Sequence, residues 1–328
     1  MSDSGVLSVV SPVYGCRECL EKLCNRVRLA FEKTGLDWEL LLVDDCGPDE
    51  PWPLICELSQ RDARIRGVKL SRNHGQHLAI WAGLAAARGD WVAVVDCDLQ
   101  DDPAILPTLH AVALEGNAEA VVVERGNWSD SAFRRLASHA LYKFIYLLGG
   151  VRMNNIGNFG LYSRRMVQTL LQFREQEVFL PMMIALTGLR RQTYRLDRSG
   201  RAAGRSAYGF LRLLRLATSI IVRFSERPLT LSVIVGLAFS LLSAVSSVLL
   251  VVASLGGAFT VPGWTSTVLS VWFLSGLILA TLGVHGFYLG RVFSEVKLRP
   301  RIIVETTTDA VEVEVEVEKG AICDVTSA

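Results

Sequence analysis

Two carboxylates, Asp96 and Asp98, follow directly after the apolar run Trp91–Val95. A run this rich in valine predicts a buried strand, and open α/β sheets bind ligands beyond the carboxyl ends of their strands. Hard cations such as Mg²⁺ and Mn²⁺ take carboxylate oxygens and usually complete their shell with substrate phosphates. The segment therefore predicts a site for a metal–diphosphate group. The alternative is a solvated acidic loop in which Asp102 and Pro103 begin the next helix.

Polar residues also follow two earlier apolar runs. Val6–Val10 continues into Ser-Pro-Val and Tyr14, and Glu39–Val43 ends at Asp44 and Asp45. If these strands are parallel, all three polar ends lie at one edge of the sheet, where Tyr14 could stack on a base and the carboxylates could bind a ribose or a cation. The chain has no G-x-G-x-x-G or Walker-type glycine loop, which disfavours an ordinary dinucleotide or P-loop site.

The elements predicted for the first two hundred residues alternate between strand and helix, which is typical of an α/β fold with a parallel sheet covered by helices on both faces. The predicted strands are Val6–Val10, Glu39–Val43, Arg64–Lys69, Trp91–Val95 and Ala118–Val123. The predicted helices are Glu18–Lys33, Gln76–Ala87, Ala104–Glu115 and Phe133–Leu148, and the segment 154–160 is predicted to be turn-rich.

Half of the residues are hydrophobic, but they are spread unevenly. From Pro228 to Gly290 there is no Asp, Glu, Lys or Arg. Within this stretch Leu229–Ala253 and Ser266–Leu289 each reach the ~20 residues that a helix needs to cross a bilayer. Glycine and proline residues separate the two segments. We therefore predict a transmembrane hairpin, with two buried core helices as the alternative.

Basic residues flank the predicted hairpin, while the loop inside it carries no charge. They are Arg212, Arg215, Arg223 and Arg227 before it, and Arg291, Lys297, Arg299 and Arg301 after it. The positive-inside rule then places both termini in the cytosol. Phe210–Phe224 interleaves arginine with apolar residues, as in a helix lying among membrane headgroups. No secretory signal pattern opens the chain. We expect a cytosolic domain tethered to a membrane, with membrane lipids as partners.

The remaining composition excludes other classes. The net charge is +1, and no basic tract with interleaved aromatic residues precedes residue 200, so we expect no nucleic-acid partner. Seven scattered cysteines predict reduced thiols rather than a disulfide framework. Cys16 and Cys19 form a C-x-x-C without a second pair, which argues against a zinc site. His74 and His77 are expected to contact substrate or backbone rather than a metal.

An ordered set of motifs runs through the chain to about residue 304. It comprises Ser11-Pro-Val-Tyr14, Leu42-Val-Asp-Asp45, Leu70-Ser-Arg-Asn-His-Gly-Gln-His77, Asp96-Cys-Asp-Leu-Gln-Asp-Asp-Pro103, Arg201-Ala-Ala-Gly-Arg-Ser206, Tyr288-Leu-Gly-Arg291, Glu295-Val-Lys297 and Arg299-Pro300. The set resembles the family-2 glycosyltransferases of GT-A fold, of the polyprenyl-phosphate type. This group includes dolichyl-phosphate mannose synthases and undecaprenyl-phosphate sugar transferases.

The resemblance implies a nucleotide-sugar donor, a polyprenyl-phosphate acceptor, Mg²⁺ or Mn²⁺, and a bacterial inner membrane. It assigns the nucleotide to Pro12, Tyr14, Asp44 and Asp45, and the cation to Asp98 and Gln100, with Asp96 near the nucleotide or the metal. It assigns the donor or acceptor phosphates to Arg125, the lipid phosphate to Arg134 and Ser138, and closure on the donor diphosphate to Arg201. The further substrate contacts that we expect are Arg72, Cys97, Asn158, Arg198 and Ser206.

The chain departs from the family pattern at a few of these positions. Gly15 and Cys16 replace the usual Asn-Glu after the tyrosine, Asn158 stands where many relatives have Asp, and Ala207 where many have Lys. The departure at Gly15 and Cys16 removes a carboxylate near the nucleotide, and those at Asn158 and Ala207 bear on acceptor or sugar contacts rather than on the reaction class. A lipid monophosphate is already anionic at pH 7, so its transfer reaction needs no general base. In-line attack at the anomeric carbon would invert its configuration.

The predicted organisation has four parts: a GT-A domain (1–200), a juxtamembrane amphipathic segment (201–228), two transmembrane helices (229–290) and a cytosolic tail (291–328). A homo-oligomer, either a dimer or a tetramer, is compatible with this plan. In the tail, Val311–Glu318 alternates Val and Glu as a strand would. This stretch either pairs with a neighbouring protomer's sheet or, as we slightly favour for residues beyond about 306, is disordered. The alternative functions are a processive polysaccharide synthase and a non-catalytic scaffold of a glycan-assembly complex.

Overall fold

A computed structural model describes residues 5–32, 34–125, 156–176, 178–196 and 263–309, together with individual residues between 229 and 252. The strands are Leu7–Val13 (β1), Trp38–Asp44 (β2), Ile65–Leu70 (β3), Trp91–Val94 (β4), Ala120–Arg125 (β5), Ile156–Ser163 (β6), Arg191–Leu196 (β7) and Val304–Thr307 (β8). The helices are Leu20–Phe31 (α1), Trp52–Arg61 (α2), Gln76–Ala86 (α3), Leu106–Glu115 (α4), Arg164–Leu171 (α5), Leu180–Leu186 (α6) and Trp264–Val296 (α7).

The chain divides into two compact units. One unit comprises residues 1–128, 153–202 and 299–328 and contains all eight described strands. The other comprises residues 129–152 and 203–298 and contains α7. The C-terminal segment therefore belongs to the same unit as the sheet, although the apolar region precedes it in the sequence.

The eight strands form one sheet in the order β7-β5-β6-β4-β1-β2-β3-β8. The pairs β4–β1, β1–β2 and β2–β3 are parallel, as predicted. β6 runs antiparallel to both β4 and β5, and β8 runs antiparallel to β3. The fold is thus α/β with a mixed sheet in which four adjacent strands, β4, β1, β2 and β3, are parallel, and their carboxyl ends share one edge.

Helices cover both faces of the sheet, which confirms that part of the prediction. Adjacent residues of β1 enter two different cores, since Val9 packs in one apolar cluster and Val10 in the other. The first cluster includes buried residues of α1, α2 and α4, and the second includes residues of α3, α5 and α6. Because both faces are covered, every residue of β1 and β2 is buried, and this explains why both strands consist mostly of apolar residues.

The segment predicted to be turn-rich, 154–160, is largely strand from Ile156 onward, so that prediction was wrong. Phe159 and Leu161 are fully buried on one side of β6. A Cβ atom at Gly160 would lie 2.8 Å from the Val121 carbonyl oxygen, so this glycine permits close strand packing rather than a turn. The predicted helix Phe133–Leu148 lies outside the described residues.

The C-terminal segment returns to the sheet. In β8, Thr307 pairs with Val68 of β3, and the Thr308 amide donates to the Gly67 carbonyl at 3.0 Å. Asp309 then forms ion pairs with Arg66 and Arg88. The expectation of disorder beyond about residue 306 is therefore wrong up to Asp309, because charge pairing and an open sheet edge hold this segment. Residues Val311–Glu318 lie outside the described part of the chain.

The apolar region contains one described helix that is long and apolar enough to cross a membrane, by length and composition. This helix, α7, covers the predicted span Ser266–Leu289 completely. The individual residues described between Leu229 and Val252 are also helical, but they do not establish a second span. The predicted interface helix Phe210–Phe224 lies outside the described residues.

Candidate active site

The carboxyl ends of β1, β2 and β4 lie side by side at one edge of the sheet. Val10 pairs with Val94 of β4, and Val13 pairs with Asp44 of β2. The loops that follow these strands carry the aromatic and acidic residues singled out above. Tyr14 is 53% exposed. The edge therefore combines an accessible aromatic ring with several carboxylates.

Asp45 holds the loop that precedes α3. Its two carboxylate oxygens accept hydrogen bonds from the backbone amides of His74, at 2.7 Å, and Gly75, at 2.9 Å. Gly75 has a φ of 93°, a conformation that favours glycine, and α3 begins at the next residue. Asp45 is 2% exposed, and this burial raises the pKa of its carboxyl although both amide bonds oppose the shift. Asp45 thus fixes where α3 starts.

Gln76, the first residue of α3, connects this loop to the acidic loop after β4. Its side-chain amide donates to Asp96 Oδ1 at 2.7 Å. Sequence reasoning assigned no role to Gln76. The available signal was its position directly after Gly75, since residues that open a helix at the carboxyl edge of a sheet commonly face the ligand site.

Asp98 and Gln100 lie on an exposed turn beyond Asp96. The backbone amide of Gln100 donates to Asp98 Oδ1 at 3.0 Å, and Leu99 between them has a left-handed φ of 62°. Leucine adopts this conformation at a cost of about 1 kcal/mol or more, and such residues concentrate at functional sites. The turn keeps a carboxylate and a carboxamide accessible at the edge of the sheet.

The donor set suits a hard divalent cation. Within the described residues, no group of three or more His, Cys, Asp or Glu side chains is arranged to hold a metal ion. A cation at Asp98 and Gln100 would therefore take most of its ligands from phosphate and water, which is the usual binding mode of Mg²⁺. Asp102 instead accepts the Ala104 amide at 3.1 Å and caps the following helical turn. The capping interpretation thus holds for Asp102 and leaves Asp98 available.

Asp49 links the loops after β1 and β2, and sequence reasoning missed it. Its carboxylate accepts the Gly15 amide at 3.2 Å and the Arg17 amide at 2.6 Å. The signal was the turn sequence Gly-Pro-Asp, in which Asp commonly bonds to backbone amides. The neighbouring Asp44 accepts the Gly47 amide at 3.2 Å, and burial raises the pKa of Asp44.

Cys16 and Cys97 form a disulfide bond, so the prediction that the described cysteines are all reduced was wrong. The two residues are 81 positions apart in the sequence, but each follows one of two adjacent parallel strands. The spacing along the chain points only to the C-x-x-C of Cys16 and Cys19, which was not expected to bind metal or do redox chemistry. The strand order was the signal that could have joined Cys16 to Cys97. Cys97, predicted to contact substrate, is 7% exposed.

The structure places only some of the other predicted site residues. Pro12 is buried in β1, and Arg72 is exposed in the loop before α3. Asn158 lies in β6, two residues before Gly160, which pairs with Val94 at the end of β4. At the end of β5, Arg125 pairs with Leu196 of β7. Five candidates lie outside the described residues: Arg134, Ser138, Arg198, Arg201 and Ser206.

The two histidines of this region contact protein. The His74 amide bonds to Asp45, as described above, and the His77 ring packs edge-on against Phe179 with 4.9 Å between ring centroids. Burial lowers the pKa of His77 to about 4. His77 is therefore neutral at pH 7 and belongs to the packing of α3.

Residues 8–171 match the family described as "Glycosyl transferase family 2". The undecaprenyl-phosphate 4-deoxy-4-formamido-L-arabinose transferases of Salmonella paratyphi B and Salmonella newport are each 33% identical over 303 residues, which cover 91% of this chain and 92% of each relative.

Solved structures are also similar to the chain. Mannosyl-3-phosphoglycerate synthase from Rubrobacter xylanophilus has a TM-score of 0.48 at 19% identity, covering 69% of this chain and 74% of that one. Glucosyl-3-phosphoglycerate synthase from Mycobacterium tuberculosis, crystallised with Mn²⁺, UDP and phosphoglyceric acid, has a TM-score of 0.48 at 17% identity, covering 66% and 76%. The family match and the relatives' identity over nine-tenths of the chain establish that this protein belongs to glycosyl transferase family 2 and is a glycosyltransferase.

Proposed function

We propose that this glycosyltransferase transfers a sugar from a nucleoside diphosphate sugar to a polyprenyl phosphate at the membrane surface. The observation that supports the donor half is the parallel pairing of β1 with β4, because Tyr14 follows one strand and Asp96 and Asp98 follow the other at the same edge of the sheet. The acceptor half is supported by the Salmonella relatives, which are named as undecaprenyl-phosphate sugar transferases and match this chain over 91% of its length. That length includes the apolar region and not only the sheet.

The donor would bind across the loops at this edge. Tyr14 would stack on the base, and Pro12 and Asp44 would line the nucleotide. Asp45 already accepts two backbone amides, so we assign it the positioning of the loop before α3 rather than a direct contact. Asp98 and Gln100 would hold Mg²⁺ or Mn²⁺ together with the diphosphate, with Asp96 beside them. A bound cation would neutralise the departing nucleoside diphosphate.

The acceptor would supply its own nucleophile. A phosphate monoester oxygen is anionic at pH 7, so no side chain has to remove a proton. The electrostatic difficulty is the repulsion between the acceptor phosphate and the donor diphosphate, which arginine side chains relieve. We assign this role to Arg125, Arg134, Arg198 and Arg201, with Arg72, Ser138, Asn158 and Ser206 as further substrate contacts. Attack opposite the leaving group would invert the anomeric centre.

The apolar region would anchor the enzyme beside its lipid acceptor. The helix α7 is long and apolar enough to span, and most of its described side chains are exposed, including Phe273, Leu279 and Leu289. A second span over Leu229–Ala253 would complete a hairpin with both termini in the cytosol of a bacterium. The exposed helix also leaves room for a homo-oligomer. The positive flanks of the apolar region support this orientation.

The direct test is lipid glycosylation by the purified full chain in detergent. Radiolabelled nucleotide sugars are incubated with undecaprenyl phosphate and Mn²⁺, and label is counted in the organic phase. We expect label there only when both the lipid and the cation are present. Label in a water-soluble polymer would instead indicate a processive synthase. Nucleotide binding without any transfer to lipid, over a panel of donor sugars, would indicate a scaffold and contradict the proposal.

A further inference from the structure

The Cys16–Cys97 disulfide joins the two loops that would enclose the donor. Cys16 follows Tyr14 by two residues in the loop after β1, and Cys97 lies between Asp96 and Asp98 after β4. The Cα atoms of the two cysteines are 6.4 Å apart, within the range that unstrained backbones allow. The bond therefore connects the aromatic side of the site directly to its acidic side.

The bond lies on the core side of these loops. Cys97 is 7% exposed and belongs to the apolar cluster under α1 and α4, and Cys16 packs against the same cluster. Tyr14 and Asp98, in contrast, are exposed. The disulfide thus holds the two loops together from beneath and leaves the groups that would touch the donor accessible.

We propose that Cys16 and Cys97 are a reversible thiol–disulfide pair, and that the oxidised form holds the donor site in its binding geometry. Loops that are ordered before binding do not lose conformational entropy when the ligand arrives. Reduction would free the two loops, so the reduced protein should bind a nucleoside diphosphate–Mn²⁺ complex more weakly. The identity of this ligand rests on the proposed function, whereas the link between the loops does not.

The exchange needs a disulfide reagent of low molecular weight, such as glutathione disulfide. The thiolate of one cysteine attacks the reagent, forms a mixed disulfide and releases one reagent thiolate. The other cysteine then attacks the mixed disulfide, so the Cys16–Cys97 bond forms and a second reagent thiolate leaves. Two protein thiols lose two electrons and two protons, and one reagent disulfide becomes two thiols. Cys16, the more exposed of the pair, is the sulfur accessible to the reagent.

The expected compartment and the other cysteines favour a regulatory role. Thiols facing the cytosol are kept reduced, and disulfides that form there are usually transient or redox-sensing. Among the described residues, Cys19, Cys24, Cys46 and Cys56 are free. Burial raises the pKa of Cys24 to about 12, so that thiol is a poor nucleophile. Cys19, three positions after Cys16, is the competing partner that an experiment has to exclude.

The test compares the full chain in detergent after oxidation with glutathione disulfide and after reduction with a phosphine that is then removed. Alkylation and peptide mass spectrometry identify the linked pair, and calorimetry measures the Kd of UDP, GDP, CDP and dTDP with Mn²⁺. We expect a Cys16–Cys97 link, and a Kd about fivefold higher after reduction for whichever nucleotide binds most tightly. Cys16→Ser should show the weaker Kd under both conditions, and Cys19→Ser should respond as the wild type does.

A Kd that is equal in both states, or lower in the reduced state, would overturn the proposal, as would a Cys16–Cys19 link. Amide hydrogen exchange over residues 14–17 and 96–100 reports on the two loops without a nucleotide. It therefore distinguishes failure of the disulfide proposal from failure of the proposed donor. If no nucleotide binds but reduction speeds exchange in the wild type and not in Cys16→Ser, the link between the loops stands and the proposed donor falls. Unchanged exchange after reduction refutes the link itself.

Discussion

The carboxylate of Asp96 accepts a 2.7 Å hydrogen bond from the side-chain amide of Gln76, the first residue of α3. The two residues before Gln76 donate their backbone amides to Asp45. A continuous set of hydrogen bonds therefore runs from the end of β2, through the loop before α3, to the acidic loop after β4. The position of the acidic loop depends on how this connecting loop is held.

Gln76→Ala should weaken cation binding without unfolding the sheet. The substitution removes a hydrogen bond to a charged acceptor, which contributes about 1.5–3 kcal/mol, so we expect kcat/KM to fall about tenfold or more. The loss should appear mainly as a higher Mn²⁺ concentration for half-maximal activity. Titrations of activity against Mn²⁺, at donor concentrations below and above KM, measure both quantities.

Gln60→Ala is the matched control for Gln76→Ala. Gln60 is exposed near the end of α2. The chain passes from α2 to the amino end of β3, which is the edge of the sheet opposite to the candidate site. Its replacement should leave the Mn²⁺ dependence unchanged. Equal effects of the two substitutions would show that Gln76 acts through general stability and not through Asp96.

Asp98 and Asp102 offer two carboxylates of one loop with different predicted roles. Asp98→Ala should abolish transfer while the protein stays folded. Asp98 is exposed, and the hydrogen bond described for its side chain is a local one, from the backbone amide of Gln100. Asp102→Ala should instead cost about 1 kcal/mol of stability, since it removes a helix cap, and retain activity. Melting curves and transfer assays on both variants distinguish the roles. Full activity of Asp98→Ala with Mn²⁺ present would refute the site.

Asp45→Asn should loosen the loop before α3. A carboxamide has one acceptor oxygen, so it can accept only one of the two amides that Asp45 now binds, and the NH₂ group would face the other donor. We expect a loss of about 1–3 kcal/mol in the free energy of unfolding and a higher KM for the donor. Hydrogen exchange of the His74 and Gly75 amides should become faster. Unchanged exchange at these two amides would contradict the assignment.

The parallel core of the fold could be predicted because local signals are strong there. The four adjacent parallel strands are rich in apolar residues, and α1 and α3 begin and end within two residues of their predicted bounds. The strand β6 was missed because its Asn-Gly-rich sequence is typical of turns, while tertiary contacts on both sides hold it extended. The strand β8 was missed because its partner, β3, lies more than two hundred residues earlier in the chain.

The candidate site could be predicted only in part for a similar reason. Residues that directly follow strands, such as Tyr14 and Asp98, are visible in the sequence because parallel strands share one carboxyl edge. The supporting contacts of Asp49, Gln76 and Cys16 depend on which loops meet. That information lies in the strand order and not in the spacing of residues along the chain.

His77 should make the protein less stable as the pH falls. Burial against Phe179 lowers the pKa of His77 in the folded state to about 4, whereas an unfolded histidine has a pKa of about 6.5. Below about pH 6.5 the unfolded state binds the proton first, so this contribution is complete above that pH and is lost towards pH 4, by at most about 1.4 kcal/mol per pH unit.

His77→Phe removes this titration and keeps an aromatic ring beside Phe179. We expect the difference in unfolding free energy between variant and wild type to shift in the variant's favour as the pH falls from 7 to 4. Urea unfolding at several pH values measures it. The difference at pH 8, where the wild-type imidazole is neutral, reports packing alone and serves as the internal control. A difference that does not change with pH would rule out a titrating His77.

The C-terminal strand should be required for a stable donor site. Ser71 begins the loop that Asp45 holds, and its backbone amide donates to the carbonyl of Ile303, just before β8, at 2.9 Å. After β8, Asp309 forms an ion pair with the buried Arg66. A chain ended after Pro300 loses these contacts and the pairing of β8 with β3, while Arg66 keeps its 2.8 Å ion pair with Glu39. The lost bond between Asp309 and Arg66 should by itself lower the free energy of unfolding by about 1.5–3 kcal/mol. A chain ended after Asp309 is the matched control, because the contacts described for this segment come from residues up to Asp309. It should melt as the full chain does and bind the donor nucleotide equally well. If both truncations behave alike, β8 does not support the site.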